Sequence, residues 1–262
     1  MILKRLIATL TLILALIIGI WAGVSMPDVA DPHFSRPEIG LLVATTVLDI
    51  GAIALFFTGL LAYKPGIKLA YFGLTLSITL NALGAAQFPI IDSQQLWDSP
   101  WVRNGGAIVP FIIATILVYL SIRSFAKILK VKGWLMKPYV VIPLCLFVAI
   151  LTVVLPHVAT SQLETELDAN NMIQVWGGTL NLAAAFLILQ VWRTIGDHYK
   201  RAAGWLMAVL FGSSMAFFVN VSHTLLFVGT KDGITLALYI LAAAVSACWL
   251  AAGYTFARTR DY

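Results

Sequence analysis

Eight apolar runs of roughly 20 residues follow one another along this chain, and each is long enough to cross the hydrocarbon core of a bilayer as a helix. They cover about 6–26, 39–63, 69–91, 106–127, 139–156, 173–194, 203–228 and 233–256. The turns between them are short, and most carry Pro, Gly or charge: Lys64-Pro65-Gly66, Lys132-Gly133, Asp197-His198-Tyr199-Lys200-Arg201 and Lys231-Asp232-Gly233. In lipid a backbone must satisfy its own hydrogen bonds, so such runs read as helices. Composition agrees, because 11% of the residues are charged, where a soluble domain carries about 25%. The expected fold is all-α: a polytopic bundle of eight transmembrane helices making one transmembrane domain over 1–262, with no soluble domain.

Basic residues on short loops stay on the cytoplasmic side. With the N-terminus inside, that side receives Lys4, Arg5, Lys64, Lys68, Arg123, Lys127, Lys130, Lys132, Lys137, Arg193, Lys200, Arg201, Arg258 and Arg260. Only Arg36, Arg103 and Lys231 fall outside. The acidic residues do the reverse, with only Asp197 and Asp261 inside. An odd number of spans would scramble this alternation. Both termini are therefore expected to be cytoplasmic, and the absence of an organellar transit peptide points to the plasma (inner) membrane. Lys4-Arg5, the run after it and Ala22-Gly23-Val24-Ser25 also fit a cleaved signal peptide. The run is longer than a typical signal core, so an uncleaved anchor is the expectation. Trp97, Trp101, Trp134, Trp192 and Trp205 flank the runs, where amphipathic rings prefer the headgroup level.

A shift of 132 residues lays the second run on the sixth. Val47-Leu48-Asp49-Ile50-Gly51-Ala52 meets Thr179-Leu180-Asn181-Leu182-Ala183-Ala184, and Lys68 meets Lys200. Four spans per half would make both halves run the same way, a 4+4 parallel internal repeat with halves 1–130 and 131–262.

Asp49 is the most informative polar residue. It lies near the middle of its run, where an ionised carboxylate costs about 2.5–3.5 kcal/mol even on lenient insertion scales. No Lys or Arg occurs at a comparable depth in any run. Either the carboxyl is held neutral against a neighbouring helix, with Thr45 one turn away, or it binds a proton, a cation or a ligand amine. Asn81 and Asn181 fall at nearly the same depth. They belong to small and polar stripes at helical spacing, Gly73-Ser77-Asn81-Gly84 and Gln174-Gly177-Asn181-Ala184, which serve helix packing or line a pocket. The seventh run carries Ser213, Ala216, Asn220, His223 and Thr224 on one face, with Asn220 and His223 in its outer half. The candidate ligand-binding set is Asp49, Asn81, Asn181, Asn220 and His223; no catalytic residue and no metal ligand is assigned.

Cofactor chemistry has little support. His223 is the only His inside a run, so a bis-His haem lacks its second ligand. His33 and His157, near Met26, Asp28 and Asp31, match no metal spacing, leaving an outer-face metal ion or a quinone near His223 as minor alternatives. Cys145 and Cys248 lie inside apolar runs and form no disulfide framework. Glu164-Thr165-Glu166-Leu167-Asp168 reads as a solvated loop. Ala243, Ala247 and Ala251, with Ala244, Cys248 and Ala252, make a small-residue face for a neighbouring helix or a second subunit. Nucleotide-binding, serine hydrolase, zinc-protease and CxxC motifs are absent, and the net charge of +5 sits at membrane edges, which argues against nucleic acid.

The leading functional expectation is a carrier, or a ligand-binding component of one, with a polar pocket around Asp49. The layout, ending in Ala257-Arg258-Thr259-Arg260, resembles the membrane regions of some bacterial sensor kinases in arrangement and composition, and in no motif. The alternative is a non-catalytic sensory or assembly subunit, supported by the expected lack of a soluble domain and by the small-residue face of the eighth run. A quinone-binding redox subunit is the third.

Overall fold

A computed structural model describes residues 36–60, 68–80, 109–160, 169–226 and 234–259 of the 262-residue chain. Among the described residues there is no strand. The helices are α1 (Arg36–Leu60), α2 (Lys68–Leu80), α3 (Val109–Ile128), α4 (Pro138–Thr160), α5 (Ala169–Thr194), α6 (Asp197–Leu226) and α7 (Ile234–Thr259). Five of them, α1, α3, α5, α6 and α7, are long and apolar enough to cross a membrane. The other two contribute shorter apolar stretches, Lys68–Leu80 and Pro138–Val153. This is the make-up of an integral membrane protein. The described helices fall on the second to eighth apolar runs, α2 on only the first part of the third; residues 81–91 of that run and the whole first run, at 6–26, lie outside the described residues.

Side-chain contacts give the relative directions. Helices α1 and α7 run parallel, Asp49 meeting Ser246 and Phe56 meeting Gly253 two turns further on. Helices α3 and α5 are also parallel: Phe111 meets Gly177 near one end, and past the other Gln190 Nε2 donates to the Lys132 carbonyl at 3.0 Å. Between α5 and α6 the sense is antiparallel, with Ser214 Oγ donating to the Gly178 carbonyl at 2.9 Å and Asn220 Nδ2 to Gln174 Oε1 at 2.7 Å. Antiparallel too are α2 and α3, where Ser77 Oγ donates to the Ala114 carbonyl at 2.9 Å and Gly73 faces Ser121. Helix α5 packs on α3, α4 and α6 and is the most enclosed of the five long helices.

Lipid offers helices no hydrophobic drive to associate, so close backbone approach and interhelical hydrogen bonds hold the bundle together. Glycine supplies the approach. Gly178 admits the Phe218 ring of α6, Gly212 admits Val245 of α7, and Gly253 admits Phe56 of α1. The outward surface is the converse: Ile50, Phe57, Phe72, Phe147 and Ile240 are all exposed. In water each would forgo about 1.5–3 kcal/mol of burial, whereas against acyl chains the exposure is nearly free. Trp134, Tyr139, Trp192, Tyr199 and Trp205 are exposed at the end that carries the turn 129–137. Lys200 Nζ there sits 5.9 Å from the centre of the Trp192 ring and 2.7 Å from Asp197.

Helix α3 stops by backbone geometry. Val131 N–H donates to the Ala126 carbonyl at 2.9 Å and Lys130 N–H to the Lys127 carbonyl at 3.0 Å, with Lys130 at φ 53°. This is a Schellman ending, completed by Val131 packing on Ala126 and Val191. Its left-handed position holds Lys in place of the usual Gly, so the form of this ending was not readable from composition, although its place was. Pro138, which has no N–H to lose, then begins α4.

The Gly178 contact is testable. A Cβ there would stand 2.5 Å from Phe218 Cε1, whereas a Cβ at Gly204 meets nothing within 4 Å. Gly178→Leu is expected to cost about 1–3 kcal/mol by overpacking, and Gly204→Ala to be neutral or stabilising. Thermal unfolding in detergent micelles compares the two directly.

Candidate functional site

Helix α1 turns Asp49 and Phe56, seven residues and therefore two turns apart, toward α7. Ser246 and Gly253 answer them with the same spacing. At one level the Phe56 ring lies over Gly253, its Cδ2 3.0 Å from where a Cβ would be. At the other, the Ser246 hydroxyl donates to the Asp49 carboxyl. Asp49 is 6% exposed and Ser246 4%, so the pair is enclosed between the helices. The Thr45 hydroxyl does not assist it, since it donates to the Leu41 carbonyl of its own helix at 2.8 Å. On α7 the ionisable residues are Tyr239, Cys248, Tyr254 and Arg258, and Arg258 stands twelve residues beyond Ser246, roughly 18 Å along the helix.

The contacts carry the Asp49 level through the bundle. Val245 meets Gly212, Ser214 meets Gly178, Gly177 meets Phe111 and Ala114 meets Ser77. Within about a turn of this level lie Ser77, Thr115, Asn181, Ser214 and Ser246, all buried. Their hydroxyls are largely spent on backbone carbonyls. Ser77 donates to Ala114, Thr115 to Phe111 at 2.9 Å, and Ser214 to both Gly178 and Leu210. Asp49 and Asn181 are the two members of this polar layer whose side chains offer more than a hydroxyl.

The predicted site residues fall in different places. Asn181, 7% exposed, follows one turn after Gly177, which faces Phe111 of α3. It thus shares the Asp49 level but belongs to another helix contact. Asn220 joins Gln174, which is seven residues before Asn181 and roughly 10 Å away along α5. His223 lies in the last turn of α6, and Asn81 lies outside the described residues. Among the described residues no three His, Cys, Asp or Glu side chains gather as a metal site would require. Cys145 is buried and Cys248 half-buried, and both are free.

Sequence reasoning missed Ser246. It is the only serine in α7, set among Ala242, Ala243, Ala244 and Ala247, and a lone hydroxyl in an alanine-rich span was its available signal. Of the small-residue face of α7, Ala252 is fully buried, while Ala243, Ala247, Cys248 and Ala251 are half-buried. Ala244 remains exposed.

A carboxyl and a hydroxyl enclosed in this way can exchange a proton or coordinate a small cation. Removing the hydroxyl, Ser246→Ala, is expected to lower stability by about 0.6 kcal/mol and by no more than about 1.7 kcal/mol, the range for interhelical hydrogen bonds in membranes. Reversible unfolding in bicelles, with Asp49→Asn and the double variant closing the cycle, measures it. No protein-family model, curated protein or solved structure matches the chain.

Proposed function

We propose that the chain is a carrier, or the ligand-binding component of one, whose exchangeable site is the Asp49 carboxyl with the Ser246 hydroxyl, and whose occupant is a proton, a monovalent cation or a ligand amine. The observation that carries this reading is the enclosure of Asp49 in the α1–α7 contact with a hydroxyl, and no described Lys or Arg, at its level. An intramembrane acid without a cationic partner is the default functional candidate in a helical bundle. Carrier sites commonly lie near the midplane where two repeated halves meet.

The proposed frame is eight spans in two parallel halves, 1–130 and 131–262, with both termini cytoplasmic in a plasma (inner) membrane. The helix contacts support it. Moved by 132 residues, the Phe111–Gly177 contact of α3 and α5 lands on Ala243 and Thr45. That is one turn before Asp49–Ser246 and within one residue of its register. The Gly73–Ser121 contact lands on Trp205 and Gly253, again one residue from the register of Gly212–Val245 between α6 and α7. Phe56–Tyr71 lands on Ile188 and Ala203, one residue from that of Gly178–Ser214. The alternating helices also bring Lys68, Lys127, Lys130, Lys132, Lys137, Arg193, Lys200, Arg201 and Arg258 to one end, while Arg36 starts α1 at the other. That end is the cytoplasmic one under the positive-inside rule.

Two experiments test these readings. Purified protein in phosphatidylcholine–phosphatidylglycerol vesicles loaded with a pH-sensitive dye is challenged with a Na⁺ or K⁺ gradient. The native chain is expected to shift the dye, Asp49→Asn to lose the flux by about tenfold or more, and Asp49→Glu to keep part of it. Equal flux in native chain and Asp49→Asn would overturn the carrier reading. So would a silent native chain that is unstable alone and co-purifies with a second protein, which is the behaviour of a sensory or assembly subunit. For topology, K132C and R201C in a C145A/C248A background should react with a membrane-impermeant maleimide in inverted vesicles and be protected in intact cells. Labelling of either in intact cells refutes the orientation.

A further inference from the structure

We infer that the α3–α5 contact is a second copy of the Asp49–Ser246 site in which both working side chains are neutral, Asn181 standing for Asp49 and Ala114 for Ser246. This rests on the carrier reading and the repeat proposed above, and adds that the molecule has two equivalent places for an ionisable pair, of which one is equipped.

A single shift of 132 residues takes Asp49 to Asn181 and Ala114 to Ser246. The observed contacts agree with it independently of residue identity, because Phe111–Gly177 sets Asn181 level with Ala114 and Thr115, just as Phe56–Gly253 sets Asp49 level with Ser246. The four positions are also alike in enclosure: Asp49 is 6% exposed, Asn181 7%, Ser246 4% and Ala114 0%. An amide has nearly the shape of a carboxyl but cannot ionise, and alanine offers no hydroxyl. The α3–α5 copy therefore keeps the volume and the packing while losing the means to hold a proton or attract a cation. One charge-bearing occupant per chain follows. It also follows that Asp49 and Asn181 belong to two parallel contacts rather than to one pocket.

The surroundings of the two places differ in two respects. The Ala114 carbonyl accepts from Ser77 Oγ, and the residue matching Ser77 by the same shift is Val209, which is buried. Facing the equipped site, α7 presents Cys248 as its nearest other ionisable group. Across the neutral copy, α3 presents Tyr119 and Arg123, one and two turns beyond Thr115.

A hydrophobic carbodiimide, which reacts with carboxyls inside membranes, reads the exchange. With purified protein in vesicles and peptide mass mapping, the native chain should carry an adduct on residue 49, and Asp49→Asn should lose it. The transplant D49N/N181D/A114S should carry it on residue 181 and recover at least about a third of the native dye-reported proton flux, the remainder reflecting the Ser77 difference. A folded transplant with no adduct on residue 181 would overturn the inference. An adduct without flux would also overturn it, provided the native chain shows Asp49-dependent flux. If the native chain shows no such flux, the carrier reading fails, and the adduct alone decides whether the two places are equivalent. Because the transplant need not fold, paired cysteines in a C145A/C248A background supply a geometric test. D49C/S246C and A114C/N181C should both crosslink under copper–phenanthroline, and crosslinking of the first pair only refutes the equivalence.

Discussion

Everything in this protein depends on the absence of water around its backbone. Where no solvent can hydrogen-bond a peptide group, each crossing must be a helix and each polar side chain must find its partner inside the bundle. The hydroxyls of the buried layer obey this closely. Thr45, Thr75, Thr79, Thr115 and Thr179 return to carbonyls one turn back on their own helices. Ser77 reaches a carbonyl of a neighbouring helix, and Ser214 shares its hydroxyl between a neighbouring helix and its own. The first group merely discharges a local debt, whereas the second ties α2 to α3 and α5 to α6. Small residues then bring the backbones close enough for those ties to form, which is why Gly73 and Gly178 sit beside them.

How much of this was legible in the sequence follows from which interactions are local. Span length and turn placement are set by bilayer thickness and by charge, so the apolar runs at 106–127 and 173–194 reappear as α3 and α5 with their ends nearly where hydropathy put them. The end of α3 shows the limit: Lys130 occupies a left-handed position that composition would assign to glycine, and only the paired hydrogen bonds reveal it. The adjacency of α1 and α7 was less accessible still. Those helices are separated by nearly the whole chain, so Thr45, one turn away, looked like the natural partner of Asp49. Ser246, some two hundred residues distant in sequence, is the partner in fact. Likewise Gln174 and Asn181 share a stripe on α5, yet Gln174 is taken by Asn220 of α6 while Asn181 lies deeper.

Phe56 shows how the aromatic end and the polar site are mechanically joined. Its ring lies 5.4 Å from that of Tyr71, 5.7 Å from Trp249 and 6.2 Å from Phe256, and Phe125 of α3 stacks on Phe256 at 6.4 Å. This cluster clamps α1, α2, α3 and α7 together two turns from Asp49. A change in separation between α1 and α7 at the carboxyl therefore cannot occur without rearranging the cluster or hinging against it. Helix packing of this kind is closer to bistable than to compliant, which is a property a carrier exploits.

Packing alone does not explain why a carboxyl is kept at position 49. Asn181 is as deeply enclosed, one turn after the Gly177–Phe111 contact of another parallel helix pair, and carries an amide. An amide at position 49 would fill nearly the same volume and still accept from Ser246, whereas the acid costs about 2.5–3.5 kcal/mol whenever it is ionised at membrane depth. Retaining the acid therefore gains nothing for the fold that a neutral isostere would not supply at lower cost. What the carboxyl has and the amide lacks is the capacity to change charge, and the carrier reading proposed for the Asp49–Ser246 contact rests on that capacity.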